Sequence, residues 1–139
     1  MIGSAVIHFA AHDAGLSLTS RTERGGRIIA TLRGDLCIAS APALREHLHN
    51  LLRRPVSQLI IDLSAVEHAD ASGLAVLVAS GRRAKLLGGS LRLAAPSPEV
   101  AAVLAVTGMN QHLDVFPTLQ AAMAGQRAPE NEGMADSRC

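Results

Sequence analysis

Tryptophan and tyrosine are absent from the 139-residue chain, and phenylalanine occurs only as Phe9 and Phe116. Aromatic platforms for stacking bases and aromatic cages for cations are thereby nearly excluded. Cysteine is scarce too. Cys37 and Cys139 make no disulfide framework and fit a reducing compartment. Neither sign of charge dominates, since 13 Lys+Arg face 12 Asp+Glu for a formal net charge of +1. Such a chain carries no electrostatic footprint for nucleic acid or for an anionic membrane. No apolar run approaches the roughly 20 residues that span a bilayer, so membrane insertion is not expected. Near the N-terminus, Ile2, Val6, Ile7 and Phe9 are interrupted by His8, His12 and Asp13, and no basic segment precedes them. This is not a secretory signal, and a cytoplasmic location is expected.

What is present suffices for one domain. Hydrophobic residues make up 48% and charged residues 18% of the chain, with a mean hydropathy of +0.23. That composition is globular, and the length supports one core but not two. Residues 16–21 alternate apolar and polar, and after the turn at Glu23-Arg24-Gly25-Gly26 residues 27–33 form a second strand. The two read as a hairpin. Gly34 to Cys37 reads as a loop. Ser40 then suits a helix cap and Pro42 its first turn. Leu44, Leu48, Leu51 and Leu52 share one helical face, and Pro55 stops the helix.

Residues 58–63 (QLIIDL) form a continuous apolar run, as a strand buried on both faces does. After a connection over 64–71, a helix is expected over 72–87, with Leu74, Leu77, Val78 and Gly81 on its buried side and Gly88-Gly89 at its end. A strand at 90–95, a helix at 99–106 closed near Gly108, a strand at 113–116 and a helix from Pro117 or Thr118 to about 124 complete the order β-β-α-β-α-β-α-β-α. Crossover helices imply mostly parallel pairing, hence an α/β fold: a small mixed sheet with helices packed on it. Residues 1–15 read as an N-terminal extension, 16–124 as the domain, and 125–139 as a flexible tail.

The stretch Val66-Glu67-His68-Ala69-Asp70-Ala71-Ser72-Gly73-Leu74 sits where a buried strand gives way to a helix. In α/β sheets, ligands and partners bind beyond the carboxyl ends of strands. Asp70 is a suitable N-cap, and Gly73 lets another backbone approach closely. The bland alternative is a capped helix start with no further role. No GxxxxGK[ST] or GxGxxG occurs, so no nucleotide cofactor is expected. The histidines form no metal-ligand array, and His47 and His49, two apart on a helix, point in different directions. No metal site is therefore expected. Cys37 and Ser72 are the nucleophile candidates of an enzymatic reading. Neither comes with a base or a GxSxG setting, so no enzyme is expected.

Taken together, the element order, Gly34-Asp35-Leu36, Asp70 to Leu74, Gly88-Gly89 and Val106-Thr107-Gly108-Met109 resemble the STAS domain of anti-sigma-factor antagonists. The family patterns run roughly G-E-L-D, D-S-S-G-L, G-G-x-L and x-x-G-L. The resemblance implies a regulatory module without catalysis. Such a module binds an anti-sigma factor, a serine kinase with a histidine-kinase-like ATPase fold, and so frees a sigma factor for transcription. It further implies phosphorylation on the hydroxyl residue after the motif aspartate, reversed by a phosphatase. That position is Ala71 here, which has no hydroxyl, while Ser72 matches the second motif hydroxyl and is the remaining candidate phosphoacceptor. Cys37 stands where the family usually carries aspartate, and a redox role for it is a minor alternative.

Partner contacts are expected at Asp35, Leu36, Ser40, Asp70, Ser72 and Gly73, with Ala75, Val76 and Arg83 on the exposed side of the second helix. Local turn and cap bonding is the alternative for Asp35 and Asp70. Arg82, Arg83 and Lys85, with Arg53 and Arg54, read as solvated faces. An accessory subunit of a transporter ATPase is the alternative within STAS-like proteins. The chain is expected to be a monomer or a weak homodimer.

Overall fold

The computed structural model describes residues 3–8, 16–53 and 58–125. One sheet holds six strands side by side in chain order: β1 (Gly3–His8), β2 (Ser17–Thr22), β3 (Arg27–Leu36), β4 (Gln58–Ala69), β5 (Leu91–Ala94) and β6 (Asp114–Phe116). β2 is antiparallel to both β1 and β3, and β3 through β6 are parallel. Helices α1 (Ala41–Leu52), α2 (Ala71–Leu86) and α3 (Pro98–Thr107) join successive parallel strands, and α4 (Leu119–Ala124) follows β6. This is the expected order with one strand, β1, ahead of it. The Pro55 helix stop, Cys139 and the tail beyond Gly125 lie outside the described residues.

Strand alternation sorts side chains between two cores. Leu18, Ile28, Ala30, Leu32, Leu59, Ile61, Leu63 and Leu93 face one side, where Leu44 and Leu48 of α1, Leu74 and Leu77 of α2 and Val100 and Leu104 of α3 cover them. Ile29, Ile60, Ala94 and Phe116 face the other side, where Ala122, Leu119 and Met123 of α4 cover them. The run at 58–63 is apolar because both its faces are buried. The short α4 is held by arginines from the sheet. Arg92 Nη1 donates to Ala122 O at 2.6 Å and Arg27 Nη2 to Met123 O at 3.0 Å. The Arg92 guanidinium also lies over the Phe116 ring, 5.4 Å from its centroid. These cations satisfy carbonyls at the negative end of the helix.

Two strands are longer than the sequence reading has them. β3 runs on through Gly34, Asp35 and Leu36, and β4 through residues 64–69, both expected as loop. α2 ends as expected at its glycines. Gly88, at φ 88°, adopts the left-handed conformation, with Gly88 N–H on Lys85 O at 3.0 Å and Gly89 N–H on Ala84 O at 2.8 Å. That pair of bonds closes the helix.

Candidate partner-binding surface

β5 pairs with β4 only over residues 59–62, whereas β3 stays with β4 as far as Leu36 and Ala69. The outer halves of β3 and β4 therefore project past their neighbour as a two-stranded ribbon. Two register shifts within that ribbon bring Asp35 opposite His68. At its end the chain leaves β3 into the loop before α1, and leaves β4 directly into α2.

Asp70 ties these two exits together. Its Oδ1 accepts the Gly73 N–H at 2.9 Å, the cap expected of it, and its Oδ2 accepts the Ile38 N–H of the neighbouring loop at 3.3 Å. Its own N–H donates to Leu36 O at 2.9 Å. Gly73 completes the junction. A Cβ there would lie 2.5 Å from Leu36 C, 2.6 Å from Leu36 O and 2.9 Å from Cys37 N. The two backbones touch only because the side chain is missing, which is the close approach its sequence position suggested.

Ser40 departs from expectation. It precedes α1 but makes no side-chain cap bond to it. Its Oγ instead accepts the Cys37 N–H at 3.0 Å, with Asp35 O at 3.1 Å and Cys37 O at 3.2 Å within reach of its hydroxyl hydrogen. Ser40 folds the loop from within.

Of the expected contact residues, Asp70, Ser72 and Ala75 are exposed and Asp35 is half-buried. Ala71, the family's phosphoacceptor position, is exposed as well. Four expectations need correction. Leu36 and Ser40 are fully buried, Gly73 is buried, and Val76 is 2% exposed. Leu36 belongs to the core face of a strand longer than anticipated. Val76 is buried because α2 packs against both α1 and α3, so its covered face is wider than a single stripe and takes in Gly73, Val76 and Ser80. Arg83 is a fifth correction, because it is only half-exposed and its buried Nε has no partner among the described residues. It lies beside Arg45 and His49 of α1, about 20 Å along α2 from Asp70, and is not part of this surface.

Residues outside the expected contact set complete the tip. Ile38 is 71% exposed in the loop clamped by Asp70. Its place inside an apolar-looking stretch hid it. Glu67 and His68 are exposed at the end of β4. Donor atoms of Asp35, Glu67 and His68 come within 4.8 Å of one another, a grouping that the spacing of the histidines did not announce. His68 Nδ1 also lies 2.7 Å from Oε2 of Glu99, in the first turn of α3. The hydrogen bond and charge of Glu99 raise the imidazole above its ordinary range, and Asp35 and Glu67 add to that. The tip is thus an apolar residue and a small-residue helix start within an acidic rim of Asp35, Glu67, Asp70 and Glu99. Ser40 Oγ lies 3.9 Å from Cys37 Sγ, a hydroxyl and not a base.

The fold is that of a known class. The family model of the STAS domain matches residues 19–122. The chain belongs to the STAS-domain family. It is 33% identical over 88 residues to the anti-sigma-B factor antagonist of Bacillus subtilis (strain 168), an alignment that covers 63% of this chain and 80% of the relative. The crystal structure of an anti-sigma factor antagonist from Mycobacterium paratuberculosis superposes with a TM-score of 0.72 at 25% identity, covering 86% of this chain and 100% of that one. A sulfate transporter family protein from Wolinella succinogenes shares the fold, with a TM-score of 0.62 at 20% identity over 73% of this chain and 84% of that one. Among the described residues, no helix is long and apolar enough to cross a membrane.

Proposed function

We propose that this protein is an anti-sigma factor antagonist that acts by docking and performs no catalysis. The tip around Ile38 and Asp70 to Ser72 grips an anti-sigma factor, a serine kinase with a histidine-kinase-like ATPase fold, and so releases a sigma factor for transcription. The observation that carries this is the construction of the tip. Asp70 and Gly73 lock two exits of the sheet into one exposed surface, and the relatives it resembles are anti-sigma factor antagonists. The acidic rim calls for a partner face bearing Lys or Arg around an apolar pocket for Ile38. The protein works in the cytoplasm as a monomer or weak homodimer, without nucleic acid, membrane insertion, metal or cofactor.

The experiment is recovery of the bound partner from the native cell, followed by titration of the purified pair. A kinase-like anti-sigma factor is expected. Ile38→Asp should abolish binding while leaving the fold intact, because that side chain is exposed. Recovery of a transporter ATPase, or wild-type affinity of Ile38→Asp, would overturn the reading.

Regulation follows from Ala71. A methyl group accepts no phosphate, so the antagonist stays competent to bind and its control lies in its abundance. A phosphatase has no substrate at this position. Incubation with the recovered kinase and ATP should leave the mass of the protein unchanged, and Ala71→Ser should restore acceptance of one phosphate. Phosphate on Ser72 of the unaltered protein would refute this.

A further inference from the structure

At the opposite end of the molecule a groove opens between the second half of α2 and the segment leading into β6. Its volume is about 290 Å³, and it is lined by Gly81, Arg82 and Lys85 of α2, Leu91 of β5, and Gln111 through Asp114. Leu91 pairs beside Leu59 at the start of β4, the far end from Asp70. Arg82 and Lys85, three apart on one helix, stand on one face, and His112 with Gln111 comes from across the groove. Leu91 and Leu113, 5% and 7% exposed, form an apolar floor. Asp114 is the one carboxylate among the lining residues.

Gly81 supplies an independent observation. Glycine is the least favourable helix-interior residue after proline. It is often kept because a neighbour comes too close, as at Gly73. Gly81 has no such neighbour. A Cβ there would meet Leu113 Cδ2 at 3.5 Å, an ordinary contact. Packing therefore accepts alanine, and helix propensity prefers it. The missing methyl leaves the groove wall beside Leu113 without a side chain.

We infer that this groove is a binding site for a small phosphate-bearing molecule, with Arg82, Lys85 and His112 holding the phosphate and Leu91 and Leu113 receiving the organic part. A guanidinium and an ammonium lining one concavity suit a multiply charged tetrahedral anion. The site is separate from the docking tip and stands or falls independently of it.

The test is titration of the full chain with phenyl phosphate, followed by amide NMR shifts, with inorganic phosphate as competitor and chloride at matched ionic strength as control. Saturable shifts confined to the amides of residues 81–85 and 111–114 are expected, reversed by inorganic phosphate and not reproduced by chloride. Replacing both cations (Arg82→Gln with Lys85→Gln) should weaken binding by about tenfold or more. Gly81→Ala should raise the melting temperature yet weaken binding, a combination that a purely structural role for Gly81 does not produce. Shifts that fail to saturate, shifts that chloride reproduces, or wild-type affinity in Gly81→Ala or in the double variant would overturn the assignment.

Discussion

Gly73→Ala isolates the contact on which the proposed docking tip is built. The added methyl carbon would start 2.5 Å from Leu36 C and 2.6 Å from Leu36 O. Carbon atoms pack comfortably at about 3.5–4.0 Å, so one backbone must retreat by about 1 Å. The obstructing atoms are main chain and cannot rotate away. Overpacking of this kind costs about 1–3 kcal/mol. The gain in helix propensity, at most about 1 kcal/mol, offsets only part of it. A net loss of about 1 kcal/mol, and at most about 2, lowers the urea midpoint by about 0.5–1 M, given a slope of about 2 kcal/mol/M for a small domain. Partner affinity should fall as well, because the retreat also pulls apart the Asp70 bonds. Gly81→Ala is the internal control: the same change on the same helix, without the clash, should raise stability by up to about 1 kcal/mol. A midpoint for Gly73→Ala at or above that of the unaltered protein would refute the reasoning.

Other changes test the surrounding structure. Asp70→Ala removes the cap on Gly73 and the tie to Ile38, and should cost about 1–2 kcal/mol in urea unfolding. Its binding defect, measured where the variant is fully folded, should exceed that of the half-buried Asp35→Ala. Because Glu99 raises the His68 imidazole, Glu99→Gln should bring its titration, followed by NMR, back toward the ordinary range. The sign follows from linkage: the pair's contribution is complete below the unfolded-state pKa of about 6.5 and disappears as pH rises through the higher folded-state value. Both partners are exposed, so global stability should barely change with pH in this window. Arg92→Met removes the bond to Ala122 O and the contact with Phe116. It should cost about 1–2 kcal/mol and speed hydrogen exchange in α4 while leaving α2 protected.

The sequence revealed those features that local chemistry dictates. Asp70 as a cap, Gly73 as a point of close approach, Gly88 as a helix end and the doubly buried run at 58–63 each follow from the residue and its neighbours. The burial of Leu16, Leu18 and Ser20 follows from period-two alternation. The expected α/β order and the STAS resemblance rest on such signals. Other features depend on what lies across space. Residues 64–69 carry Ser64, Glu67 and His68, which look like a loop. They form a strand because β3 alone continues beside them and leaves their polar side chains in water. The acidic rim gathers residues from β3, β4, α2 and α3, and two register shifts decide that Asp35 faces His68. No spacing rule announces a register shift. A hydrophobic stripe assumes one buried side, and Val76 escapes it because α2 is wedged between two helices. Ser40 suits a cap by type and position, but the sharper turn before it claims the hydroxyl.

The Asp70 junction also bears on speed and selectivity. With a carboxylate, an amide and a bare glycine Cα holding two loops in register, the surface is preorganised before any encounter. Little conformational freedom remains to be lost on association, so encounters should succeed by fit and not by remodelling. A rigid lock of this sort discriminates between similar partners by shape, and a cell carrying several such regulators would keep its signalling lines from crossing by small changes at Ile38 and the carboxylates around it.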